Sequence, residues 1–88
     1  MTDAFLFINV QFLFIDDVMN KLKEISEIID IHKVQGTYDI IARVHSDTEE
    51  KLKELVSERI RRIDRIIGTV TVIIAKEIEN WEREHTTR

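Results

Sequence analysis

The spacing of apolar residues in this chain switches from the alternation of a strand to the 3.6-residue repeat of a helix and back, in an order that leaves few folds open. The run AFLFINVQFLF, from Ala4 to Phe14, alternates. A strand ending near Phe12 puts Leu6, Ile8, Val10 and Phe12 on one face and Phe5, Phe7, Asn9 and Gln11 on the other. Ile15, Val18, Met19, Leu22, Ile25 and Ile29 then fall at helical intervals. With Asp16 and Asp17 suited to the positive end of a helix dipole, a helix is predicted from about Asp16 to Ile28. DIHKVQ and YDIIARVH read as short β-branched strands, and the Gly36-Thr37 pair between them suits a two-residue hairpin turn. SDTEEKLKELVSERIRRI is a second helix, with Ser46–Glu49 and Asp47–Glu50 at capping-box spacing. Its apolar stripe is Leu52, Leu55, Val56, Ile60 and Ile63. RIIGTVTVIIA is a fourth strand.

The order β-α-β-β-α-β predicts an α+β fold of the ferredoxin-like plait type: a four-stranded antiparallel sheet with two helices on one face. The domain is expected to occupy residues 1–75. A polar C-terminal tail, 76–88, follows around Ile78 and Trp81.

Composition restricts how such a domain is held together and what it can do. A chain of 88 residues is one small domain, and a domain of this size buries only about 60% of its unfolded surface. The chain has no cysteine, which removes disulfides, thiolate metal sites and a cysteine nucleophile. Close packing and oligomerisation remain as means of stabilisation. The net charge of -4, with both signs intermixed, offers no basic field for nucleic acid, so direct nucleic-acid binding is not expected. Arg59, Arg61, Arg62 and Arg65, interrupted by acidic residues, read as a solvated helix end. No apolar run reaches the ~20 residues of a membrane helix, and no signal-peptide pattern is present. A cytoplasmic protein is expected. His32, His45 and His85 have no second ligand at metal spacing, and no Ser-His-Asp order or phosphate loop appears. No catalytic group, metal or cofactor is therefore expected.

A plait leaves one sheet face without helices. Here that face is assigned Phe5, Phe7, Asn9 and Gln11 from the first strand, and Asp39, Ile41 and Arg43 from the third. The fourth strand is assigned Ile67, Thr69, Thr71 and Ile73. This set is too apolar to face water, and such patches mark interfaces. A second copy packed sheet to sheet about a two-fold axis is the simplest cover, so a homodimer is expected. The tail folding back over the patch is the alternative.

The segment VQGTYD, Val34 to Asp39, has two readings on residue chemistry. It is a turn in which Gly36 supplies a positive φ, Tyr38 packs at the sheet rim and Asp39 bonds nearby amides. It is also a place where a ligand can approach the backbone, whose amide and carbonyl groups can hold both charged ends of an amino acid.

VQGTYD running into IIARV resembles the ligand-binding domain of the Lrp/AsnC family of transcriptional regulators, also called the RAM domain. The resemblance extends from about Ala4 to Ala75. GTVTVIIA is similar to the family's last strand, with Thr69 and Thr71 at its two alternating Ser/Thr positions. The resemblance implies a dimer formed through the sheet, further association of dimers, and a small effector, typically an amino acid, bound between dimers. It implies ligand-binding roles for Gly36, Thr37, Tyr38 and Asp39, and for Thr69 and Thr71 of a neighbour. Family regulators carry a helix-turn-helix domain before this one, whereas only Met1 to Asp3 precede the first strand here. The expectation is a stand-alone sensing module that alters the assembly of an Lrp/AsnC-type partner regulator rather than binding DNA itself. A structural oligomer without an effector, and a small dimeric enzyme of the plait type, are the alternatives.

Overall fold

Strand and helix follow one another in the expected order in the computed structural model, which describes residues 1–74. They are β1 (Thr2–Val10), α1 (Ile15–Leu22), β2 (Ile28–Lys33), β3 (Ile40–Ser46), α2 (Glu49–Leu55) and β4 (Ile66–Ile73). The expected tail, 76–88, and the domain boundary at residue 75 lie outside the described residues. The strands form one antiparallel sheet in the order β2-β3-β1-β4. The fold is the α+β ferredoxin-like plait.

Alternation sets the core. Ala4, Leu6, Ile8 and Val10 of β1 and Ile40, Ala42 and Val44 of β3 are buried. They pack with Val18 and Leu22 of α1, Leu52 and Leu55 of α2, and Ile25, Val56 and Ile60 outside those elements. The residues between them on β1 and β3 face the uncovered side, as the sequence pattern requires.

Several element ends differ from expectation. β1 stops at Val10, and Phe12, expected on the core face, is 83% exposed in the connection to α1. Helix α1 ends at Leu22 rather than Ile28. The chain then makes short turns, Ile25 N–H to Leu22 O and Ile28 N–H to Ile25 O, that keep Ile25 in the core. Ile28 opens β2, and Ile29, expected on the helix stripe, is exposed beside an irregularity of the β2–β3 ladder. Two β-branched residues in succession favour a strand over another helical turn. Thr48, not Ser46 or Asp47, caps α2: its hydroxyl accepts from Lys51 N–H at 3.0 Å. Ser46 is buried as the last residue of β3. Beyond Leu55 the helix widens into a π turn, Val56–Ile60, closed by Arg61 N–H to Val56 O at 2.8 Å.

The fourth strand departs most from expectation. Residues directly opposite on neighbouring strands share a face. Thr71 lies opposite Leu6, Thr69 opposite Ile8 and Ile73 opposite Ala4, so all three stand on the helix face, not the open one. Val70 opposite Phe7 and Val72 opposite Phe5 take the open face instead. Alternation fixes which residues share a face but not which face it is. The phase comes from the ladder to β1, which shifts between Asn9 and Val10. The open face therefore carries Phe5, Phe7, Ile41, Val70 and Val72, a more apolar set than the sequence pattern assigned to it.

Candidate functional site

Six residues, 34 to 39, connect β2 to β3, in place of the two-residue turn expected from Gly36-Thr37. The connection is wider because Asp39 bonds to β1 rather than only across to β2. Its N–H donates to Ile8 O at 3.0 Å, and its carbonyl accepts from Val34 N–H at 2.9 Å. The Asp39 carboxylate accepts from Val10 N–H at 2.8 Å. The β1–β3 ladder ends at Ile8 opposite Ile40, so the carboxylate supplies the next rung for an amide that has no β3 residue opposite it. Tyr38 packs its ring against Phe7, 5.3 Å between centroids, and so ties the turn to the open sheet face.

Between these anchors the chain is exposed at Gln35, Gly36 and Thr37. Gly36 has φ 143, a region that side-chain-bearing residues rarely adopt. A Cβ at Gly36 would meet nothing within 4 Å. The glycine therefore serves the backbone conformation and an approach from outside, not close packing within the chain. Among the described residues, the N–H groups of Gln35, Gly36, Thr37 and Tyr38 have no hydrogen-bond acceptor. Successive free amides on a rigid turn can hold an anionic group such as a carboxylate.

Thr69 and Thr71 are not brought to this turn within one chain. They lie on the helix side of the edge strand, with β1 and β3 between them and β2. There they line an open groove of about 370 Å³ beside the π turn, with Lys53, Ser57 and Arg61 and the apolar Val56 and Ile73. The sequence reading missed Lys53 and Arg61 as neighbours of the two threonines. The signal available was the helical spacing of Lys53, Ser57 and Arg61, four residues apart. Arg61 has no carboxylate within 4.0 Å among the described residues, whereas Arg59, Arg62 and Arg65 each have one. Lys53 is paired with Glu49 at 3.3 Å, so Arg61 and the hydroxyl groups are what suit the groove to a small anion, and the apolar floor suits a short aliphatic part.

Of the three histidines, His85 lies outside the described residues, and His32 and His45 each approach a single carboxylate. His45 Nδ1 lies 2.6 Å from Asp3 Oδ1, and that hydrogen bond is the main reason the Asp3 carboxyl titrates below its ordinary value. His32 lies 3.5 Å from Asp30. Among the described residues no three His, Cys, Asp or Glu side chains group so as to hold a metal ion. No helix among them is long and apolar enough to cross a membrane.

The sequence pattern of the Lrp/AsnC ligand-binding domain matches residues 3–81. The HTH-type transcriptional regulator FL11 of Pyrococcus furiosus is 27% identical over 73 residues, which make up 83% of this chain and 48% of that protein. This chain thus spans about half the length of that relative. The crystal structure of FFRP-DM1 is 32% identical and superposes with a TM-score of 0.83, covering 85% of this chain and 100% of that one. The feast or famine regulatory protein of M. tuberculosis, complexed with L-methionine, is 25% identical, with a TM-score of 0.75 over 86% of this chain and 51% of its own.

Proposed function

Since the chain belongs to the Lrp/AsnC ligand-binding domain family, we propose that it is a sensing and oligomerisation module that binds an amino acid at the Gly36–Asp39 turn. The observation that carries this reading is the turn itself. Four consecutive amides are free among the described residues, held open by a glycine at positive φ and braced by Asp39 on β1 and Tyr38 on Phe7. On this reading Asp39 acts mainly by fixing the turn, since one of its oxygens is engaged by Val10. A related regulator is complexed with L-methionine, which supports an amino acid as the effector class.

Thr69 and Thr71 join the site from a neighbouring subunit, with Arg61 and Lys53 beside them. Their separation from the turn within one chain favours a site completed between subunits. Chains pair through the open sheet face, where Phe5, Phe7, Ile41, Val70 and Val72 are covered by the same residues of a second copy. Pairs associate further, and effector occupancy biases that association. The module modulates transcription through a partner regulator of the same family, with no direct contact to DNA and no catalysis of its own.

A thermal-shift screen against the common amino acids, on wild type and Gly36→Val, tests the reading. One or more amino acids should raise the wild-type Tm and leave the variant's unchanged. A valine at φ 143 is strained and closes the approach. If no amino acid shifts the wild type at millimolar concentration, the amino-acid reading fails. The structural-oligomer reading would then take its place.

A further inference from the structure

Charge sets the groove beside the π turn apart from its neighbours. Lys53, Ser57 and Arg61 line it from α2 and the π turn, and Thr69 and Thr71 line it from β4, with no carboxylate in the lining. A groove at Phe14 and Ile63 sets Asp17 and Asp64 against Lys21 and Arg62. Another, at Leu55, sets Glu27, Glu54 and Glu58 against Lys51 and Arg59. Those two carry both signs, whereas the lining of the first is positive only.

Arg61 holds the unmatched charge. Lys53 already meets Glu49 at 3.3 Å, one turn back on the same helix. Arg61 has no carboxylate within 4.0 Å among the described residues. The π turn sets its place, because the bond that closes that turn runs from Arg61 N–H to Val56 O. Turns of this kind recur at functional sites. The Ser57 hydroxyl is engaged, donating to Lys53 O at 3.0 Å. The hydroxyls of Thr69 and Thr71 make no hydrogen bond among the described residues, so both can donate. A guanidinium and two hydroxyl donors form a binding set for a carboxylate, and the guanidinium fork can hold both its oxygens. Val56 and Ile73 complete the lining and give apolar cover to a short methylene stem.

We infer that the effector is an acidic amino acid, with its α-carboxylate on the amides of the Gly36 turn of one subunit and its side-chain carboxylate on Arg61, Thr69 and Thr71 of the neighbour. The inference rests on the reading of an effector site completed between subunits, and it names which amino acids that site selects. The two sets of donors do not compete for one group. Four consecutive amides match the roughly four lone-pair sites of a single carboxylate, which leaves Arg61 for a second anion. An effector with a cationic side chain would set like charge against Arg61. A purely aliphatic one would cover the guanidinium and leave it unpaired, at a cost that an acid avoids. Asparagine and glutamine offer an oxygen without the charge and rank between.

The test is titration calorimetry of the full chain with glutamate, aspartate, their two amides, methionine and lysine, on wild type and Arg61→Gln. Arg61 is exposed, and its backbone bond to Val56 O survives the substitution, so the variant should keep its fold. In the wild type, one of the acids should bind roughly ten- to a hundred-fold more tightly than its own amide, the effect expected of a hydrogen bond to a charged group. The net charge of -4 works against any acid, so such a preference reports a local site. Arg61→Gln should remove the preference and leave the affinity for the amide unchanged. An acid that binds no more tightly than its amide overturns the inference, as does a variant that keeps the preference. A variant that weakens acid and amide alike also overturns it, by placing Arg61 on the α-carboxylate that all amino acids share. If methionine or lysine binds more tightly than both acids, the inference fails while the effector reading stands. If none of these amino acids binds at millimolar concentration, the effector reading fails and the inference with it.

Discussion

Asp39→Ala removes a single acceptor and strands a single amide. In the folded chain Val10 N–H lies 2.8 Å from Asp39 Oδ2, just past the last β1–β3 pair at Ile8 and Ile40. No other acceptor replaces the carboxylate, because Asp39 N–H and C=O are committed to Ile8 and Val34. A hydrogen bond to a charged acceptor contributes about 1.5–3 kcal/mol. The bond is only partly buried, which places it toward the lower half of that range, at about 2 kcal/mol. For a domain of this size that is a fall in Tm of about 8–16 °C at fixed protein concentration. Asp39→Asn keeps an oxygen acceptor without the charge and should lose about half as much. Urea unfolding followed by circular dichroism gives the free energies. Amide exchange gives the location, because the Val10 N–H should lose protection in Asp39→Ala before its neighbours do. A loss below about 0.5 kcal/mol, the level of an ordinary surface substitution, would refute the bracing role assigned to this carboxylate.

Val70→Asp should dissociate or unfold the sheet-paired dimer. It places a carboxylate opposite Phe7 in the proposed contact, and analytical ultracentrifugation reads the result. Thr48→Ala removes the one side-chain cap of α2 and should lower stability by about 1 kcal/mol in urea unfolding. Asp3 and Asp16 titrate below their ordinary value of 3.8, chiefly through hydrogen bonds from His45 and Lys33 respectively. Their contribution to stability is therefore complete above that value and is lost as pH falls through their lowered native values. Unfolding measured from neutral pH into the acid range should show this decline, with a shallower slope in Asp3→Asn/Asp16→Asn.

What was legible in the sequence followed from periodicity. The alternation of Ala4, Leu6, Ile8 and Val10, and the helical spacing of Val18 with Leu22 and of Leu52 with Leu55, carry most of the core. They fix the element order and hence the plait. The ends were less legible because competing signals overlap there. Ile25, Ile28 and Ile29 fit a helical stripe and a β-branched strand equally well, and only pairing with β3 decides between them. The phase of β4 was not legible at all. Its Thr and Val residues alternate cleanly, but the face each set takes depends on register against β1, a long-range property. The same limit hid the groove that puts Arg61 beside Thr69 and Thr71. The width of the Gly36 turn depends on Asp39 reaching Val10, 29 residues away in sequence. Its residues could be named from VQGTYD, but its free amides could not.

Heteronuclear NMR on the wild type, titrated with whichever amino acid gives the largest thermal shift, tests most directly whether the turn holds an effector. The amides of Gln35, Gly36, Thr37 and Tyr38 should move together, with one saturating affinity. Thr69, Thr71 and the Arg61 side chain should respond in step from the neighbouring subunit. Saturable shifts confined to other residues, with the 35–38 amides unmoved, would contradict the account and leave Gly-Thr-Tyr-Asp as a turn alone.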